Sequence, residues 1–286
     1  MVRLDSLGGV FVKLEYMNPT GSHKDRVALY MLADALRSGE VSPGETVVEA
    51  SSGNTAISVA WVGRALNLKV VIVAEETISP AKAAVIRALG AELVIARRAP
   101  PSSPENMVNV AERLARERGW FFLKQHSNES NVRAHYETTA EEILRQVGRV
   151  DAFVMGVGTG GTIAGVGRRL REVFGDRVRL VAVVPRNAPL VKGPNSVGDC
   201  IDGLACYTIP GIWGRYRDII DEVVEVSLSD AVEGVKELIR SEGVLAGPST
   251  GAALKASLRV LKELGRGSRV VTIAADSIFK YPHILG

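Results

Sequence analysis

With 286 residues, 46% of them hydrophobic and 23% charged, the chain is long enough for two domains with substantial cores. Its 35 basic and 32 acidic side chains leave a formal charge of +3, too small and too scattered for a nucleic-acid or membrane-surface binder. No apolar stretch is long enough to span a bilayer, and the start, with Arg3 and Asp5, lacks a signal-peptide core. A cytoplasmic protein is expected.

Val- and Ile-rich runs alternate with amphipathic stretches along nearly the whole length. In chain order the pattern gives helix 27–36, strand 46–49, helix 56–66, strand 69–74, helix 80–89, strand 92–96, helix 105–118, strand 120–124 and helix 130–147. Strands 151–155, 179–184, 222–226 and 269–274 follow, with helices 163–174, 230–241 and 252–264 among them. Ser79-Pro80 and Ser103-Pro104 open helices, and Gly90, Gly119, Gly175, Gly243 and Gly265 close them. Several strands lack alternation, as expected where helices cover both faces. The expected fold is therefore α/β, with open, mainly parallel twisted sheets flanked by helices. The periodicity lapses over 186–221, a Gly- and Pro-rich segment, and so long a loop inside a domain is usually functional. A domain seam is expected within 128–150.

Three turns at strand ends carry unusual chemistry. Gly156 to Gly161, followed by Thr162, joins a strand to a helix, and the N–H groups of such a turn cradle an anion. The same glycines satisfy a dinucleotide fingerprint, and a bare turn needing glycine for packing also fits. Ser51-Ser52-Gly53-Asn54-Thr55 places four hydroxyl or amide side chains ahead of a helix, where capping needs only one. Such a cluster suits a carboxylate. Gly247-Pro248-Ser249-Thr250-Gly251 is a third turn, read as a plain cap unless it faces the same ligand, in which case a hydroxyl meets a ring nitrogen.

Lys24, in Asn18-Pro19-Thr20-Gly21-Ser22-His23-Lys24-Asp25-Arg26, follows a turn and opens a helical pattern. The positive helix end disfavours its ammonium form and helps release a free amine. A solvated lysine is the default alternative. His23 suits either a proton relay or simple packing. Gln125 ends a strand and adds an amide donor. His126, His135 and His283 lack metal-ligand spacing, so no metal is expected. Cys200 and Cys206 match no zinc or redox spacing and read as incidental thiols. Glutamine occurs only at Gln125 and Gln146, which points to a heat-adapted (thermophilic) source.

Asn18–Arg26, Ser51–Thr55, Gly158–Thr162 and Gly247–Gly251, in this order, resemble the fold-type II pyridoxal-phosphate enzymes, most closely the cysteine synthase/cystathionine β-synthase family. Ala134-His135-Tyr136-Glu137-Thr138-Thr139 is similar to that family too. The resemblance implies pyridoxal 5'-phosphate bound in a cleft between a smaller mobile domain, 18–129, and a larger one, 1–17 plus 130–286. It makes Lys24 the Schiff-base and catalytic lysine. Asn54 would bond the ring oxygen, Gly158, Thr159, Gly160, Gly161 and Thr162 the phosphate, and Ser249 the pyridine nitrogen. Ser51, Ser52, Asn54, Thr55 and Gln125 would receive the substrate carboxylate. The implied reaction is β-replacement on O-acetylserine, O-phosphoserine or serine, with sulfide giving L-cysteine through an external aldimine and an α-aminoacrylate. A homodimer is implied as well, with neither nucleic acid nor membrane as partner.

Several positions depart from the family pattern. His23 stands where an apolar residue is common, Ser51 replaces threonine, Ala56 replaces glycine and His126 follows Gln125 where phenylalanine is frequent. The family's second glycine-rich segment is poorly matched by 195–204, and the segment that usually precedes Leu4 is absent. Arg186, Arg215 and Arg217 are candidates for a substrate phosphate or plain surface groups. A serine/threonine dehydratase, a nicotinamide-dependent oxidoreductase using Gly156–Gly161, and a non-catalytic relative remain as alternatives.

Overall fold

The computed structural model describes residues 1–265 and 267–285. Its strands are β1 (Val2–Leu4), β2 (Val10–Leu14), β3 (Thr46–Ala50), β4 (Lys69–Glu75), β5 (Glu92–Ala96), β6 (Phe121–Phe122), β7 (Ala152–Gly156), β8 (Arg179–Pro185), β9 (Glu222–Val226) and β10 (Val270–Ala274). Its helices are α1 (Lys24–Ser38), α2 (Asn54–Ala65), α3 (Pro80–Ala88), α4 (Met107–Arg118), α5 (Glu129–Ala134), α6 (Ala140–Val147), α7 (Gly161–Phe174), α8 (Pro189–Lys192), α9 (Gly211–Tyr216), α10 (Leu228–Glu242) and α11 (Pro248–Leu264). Among the described residues, no helix is long and apolar enough to cross a membrane. The chain divides into two compact units, Lys24–Asn131 and Met1–His23 with Val132–Gly286.

The Lys24–Asn131 unit is built on a four-stranded sheet in the order β5-β4-β3-β6, parallel throughout. Successive side chains leave a strand on opposite faces, and here both faces are covered. Val47, Val70 and Ile72 pack with α1 and α2 residues such as Met31, Leu32 and Val59. Val48, Val71 and Val73 pack on the other face with Val110 and Ala111 of α4. That is why these strands read as unbroken apolar runs.

The other unit holds a six-stranded sheet in the order β1-β2-β10-β7-β8-β9. Only β1 and β2 are antiparallel; β2 pairs in parallel with β10, Phe11 opposite Val271. The same division of faces recurs. Phe153, Met155, Leu180 and Ala182 enter one core, and Ala152, Val154, Val181 and Val183 the other.

Three expectations need correction. The β1–β2 pair was not anticipated, because Lys13 interrupts its apolar run. Lys13 is buried nonetheless, with its ammonium 2.5 Å from Glu142 and 3.6 Å from Glu15. The helix expected over 130–147 is broken by a π-helical turn at His135–Thr139. Gly165 of α7 packs against this segment so closely that a Cβ there would stand 2.8 Å from Tyr136 N. Strand β6 is short because Lys124, at φ 53°, turns the chain into the left-handed region.

Candidate active site

In the Lys24–Asn131 unit, the carboxyl ends of β3 and β6 carry the residues singled out for a carboxylate. The turn after β3 places Ser51 and Thr55 in buried positions and Ser52, Gly53 and Asn54 in half-buried ones. The hydroxyls are not equivalent. Ser51 Oγ accepts the Gly53 N–H at 3.2 Å, which leaves its hydrogen for a ligand. Ser52 Oγ accepts the Glu75 N–H at 2.8 Å and donates towards Met107 Sδ at 3.8 Å. Thr55 donates to Gln125 Oε1 at 2.6 Å. Gln125 Nε2 in turn donates to Ala50 O at 3.2 Å, and the same side chain also hydrogen-bonds the Glu49 carboxyl, so its carboxamide is fixed at both ends.

Beneath Gln125 lies Glu49, 1% exposed and on the same face of β3 as Val47. Burial pushes its pKa up to about 8, against the lowering effect of hydrogen bonds that include the Gln125 N–H at 3.4 Å. A buried carboxyl was not anticipated, since Glu49 reads in the sequence as the last residue of a strand. His126, next to Gln125, has its pKa lowered to about 4, by burial first and then by the positive charge of Lys24. Its Nδ1 is buried and makes no hydrogen bond among the described residues. Lys24 is the first residue of α1, half-buried and close enough for that electrostatic effect. Asp25, beside it, accepts the Ser58 hydroxyl of α2 at 2.7 Å and ties the two helix starts together.

In the other unit, the turn from β7 into α7 is an anion cradle. Gly160 stands at the N-cap with φ 87°, and no side chain caps the helix. The N–H groups of its first turn therefore have no intrahelical acceptor, apart from a Gly161 N–H directed at Thr159 Oγ1 at 3.3 Å. Gly158 is required by close approach: a Cβ there would stand 2.5 Å from Gly203 O. Thr159 and Thr162 are buried in the same turn.

Gly203 belongs to the irregular segment. It is held against the cradle by Ala205 N–H to Val157 O and by Gly198 N–H to Cys206 O, each 2.9 Å. A Cβ on Gly203 would stand 3.5 Å from Ser249 Oγ. Ser249, in the first turn of α11, is buried and makes no hydrogen bond through Oγ among the described residues. The cradle, Gly203 and Ser249 are thus neighbours within one unit. Sequence reasoning had assigned no role to Gly203, because 195–204 has neither periodicity nor a recognisable motif. It also missed that Cys200 and Cys206 bring their Sγ atoms to 3.2 Å.

Comparison with known proteins agrees with this arrangement. A family model described as pyridoxal-phosphate dependent enzyme matches residues 1–276. A cysteine synthase of Staphylococcus aureus is 39% identical over 281 residues, covering 97% of this chain and 88% of that protein. The crystal structure of O-ureido-L-serine synthase superposes with a TM-score of 0.90 at 37% identity, over 98% of this chain and 89% of that one. Cysteine synthase from Entamoeba histolytica superposes with a TM-score of 0.88 at 29% identity, over 96% of this chain and 80% of that one. The chain belongs to the pyridoxal-phosphate dependent enzymes, as a fold-type II member of the cysteine synthase type.

Proposed function

We propose that the protein makes L-cysteine by β-replacement on an activated L-serine: the leaving group departs from Cβ and sulfide takes its place. O-acetylserine and O-phosphoserine are the proposed substrates, with free serine as a third. The observation that carries this reading is the array at the ends of β3 and β6, where the Ser51 hydroxyl keeps an unspent hydrogen beside a doubly anchored Gln125. Lys24 stands in the same unit.

Pyridoxal phosphate fits the residues present. The uncapped start of α7 suits a phosphate, and Gly158 and Gly160 keep that space clear of side chains. Gly158, Thr159, Gly160, Gly161 and Thr162 would hold the phosphate, Asn54 the ring oxygen and Ser249 the pyridine nitrogen. Bound there, the cofactor draws electrons from Cα of the amino acid and makes its proton removable. Lys24 would anchor the cofactor, and its Nζ would take that proton and return it. The neutral Ser249 hydroxyl does not force a proton onto the ring nitrogen, which favours β-elimination and replacement over transamination. Ser51, Gln125 and the first N–H groups of α2 would receive the substrate carboxylate. Ser52 and Thr55, whose hydroxyl hydrogens are already committed, would keep the array in shape.

The test is to supply sulfide with each serine ester in turn and measure cysteine against pyruvate. Cysteine as the main product is expected; pyruvate alone would move the protein to the dehydratase reading. The likeness to O-ureido-L-serine synthase favours one second reading, an oxygen nucleophile at the same step. A homodimer is proposed on the same family likeness and is checked by sedimentation.

A further inference from the structure

Thr162 Oγ1, in the first turn of α7, lies 3.4 Å from His23 Nδ1 and 3.2 Å from His135 Nε2. All three side chains are buried, and the two imidazoles sit 5.5 Å apart at an angle of 47°. Both residues are held from elsewhere. The His23 backbone N–H donates to Ala275 O at 2.9 Å, and Ser22 bridges to Asp276, which pins His23 at the carboxyl end of β10. His135 Nδ1 lies 3.0 Å from Thr139 Oγ1 within the π-helical turn.

A threonine hydroxyl has one hydrogen and two lone pairs. With two ring nitrogens beside Oγ1, two proton arrangements are open. In one, Thr162 donates to a ring and its hydrogen is consumed inside the protein. In the other, both rings donate and the hydrogen is left over. An anion in the 158–162 cradle selects the second, because only an outward hydrogen can meet it. That arrangement is consistent around the network: His135 carries its hydrogen on Nε2, and its Nδ1 accepts from the Thr139 hydroxyl.

We propose that His23 is a positioning residue for the cofactor phosphate: together with His135 it donates to Thr162 Oγ1 and so commits the Thr162 hydrogen to the bound anion. The inference rests on the cofactor reading above. It concerns a residue at which this chain departs from the family pattern.

The experiment resolves and reconstitutes the full chain and measures binding of two ligands, pyridoxal phosphate and pyridoxal, which lacks the phosphate. Wild type, His23→Val and His23→Asn are compared, and the phosphorus resonance of each holoenzyme is recorded. His23→Val should bind pyridoxal phosphate about tenfold more weakly, the effect of one hydrogen bond to a charged group. It should bind pyridoxal as wild type does, and its phosphorus resonance should shift. His23→Asn, which keeps an N–H donor near the Nδ1 position, should recover most of the loss. Equal weakening for both ligands, or unchanged affinity and resonance, would overturn the proposal. A wild-type chain that binds neither ligand would remove the cofactor reading itself and this inference with it.

Discussion

Thr55 donates its hydroxyl hydrogen to Gln125 Oε1 across 2.6 Å, joining the first turn of α2 to the end of β6. That bond, with the one from Nε2 to Ala50 O, fixes the orientation of the Gln125 carboxamide. Thr55→Val keeps the shape and removes the donor. It should raise KM for the amino-acid substrate about tenfold while holding kcat within about a factor of three, as for an interaction made equally before and during reaction. Steady-state kinetics with each serine ester checks this, and a fall in kcat alone would contradict it.

Lys24→Ala should lower turnover at least about a thousandfold, the usual scale for losing a positioned proton-transfer group. Cysteine formation under saturating ester and sulfide is the measurement. Turnover close to wild type would place the base at another residue.

Gly158→Ala would put a methyl group 2.5 Å from Gly203 O, a backbone atom unable to swing aside. Forced displacement of this kind costs about 1–3 kcal/mol. The variant should melt earlier and lose bound cofactor on gel filtration, both readable from a thermal scan and the visible spectrum.

Glu49 and His126 give opposite pH dependence. The Glu49 carboxyl titrates near 8 in the fold against 4.5 ordinarily, so the folded state holds the extra proton and this group's contribution to stability falls as pH rises from 4.5 to 8. His126 titrates near 4 against 6.5, so the unfolded state holds the extra proton and its contribution rises over that window. Above pH 6.5 only the Glu49 decline remains of the two. Melting temperatures recorded from pH 6.5 to 8 should fall more steeply in wild type than in Glu49→Gln; parallel curves would refute the assignment.

Cys200 is exposed, while the Cys206 thiol is pushed up to about 12 by burial and by its contact with Cys200. Cys200 is therefore the thiol that attacks first. Their sulfur atoms, 3.2 Å apart, need only close to the disulfide distance of about 2.05 Å. Diamide, which takes up the two thiol hydrogens, should link them within the chain. Thiol titration before and after treatment, with the non-reducing mass, decides the point; thiols that remain titratable count against it.

The sequence made the strands of both sheets legible, apart from β1 and β2, because Val and Ile runs survive when helices cover both faces. The turns at 51–55, 158–162 and 247–251 were legible for a different reason: too many polar or glycine positions for capping alone. What escaped was polar burial. Lys13 hid β2, since a charged residue reads as solvent-facing until Glu142 is seen beside it. Glu49 looked like a strand end, and His23 and His135 had no shared signal because 111 intervening residues separate them in the sequence. The 198–206 loop lacked any period, being held by backbone bonds to Val157 and Cys206 that leave no trace in side-chain pattern.

The pairing of Phe11 with Val271 has a consequence for how the molecule is made. During synthesis the β1–β2 pair emerges well before its parallel neighbour β10. The contiguous 24–131 stretch can mature meanwhile, as domains generally do in order of emergence. Until β10 arrives, β2 offers an unpaired edge, the hazard that exposed strands carry towards other nascent chains.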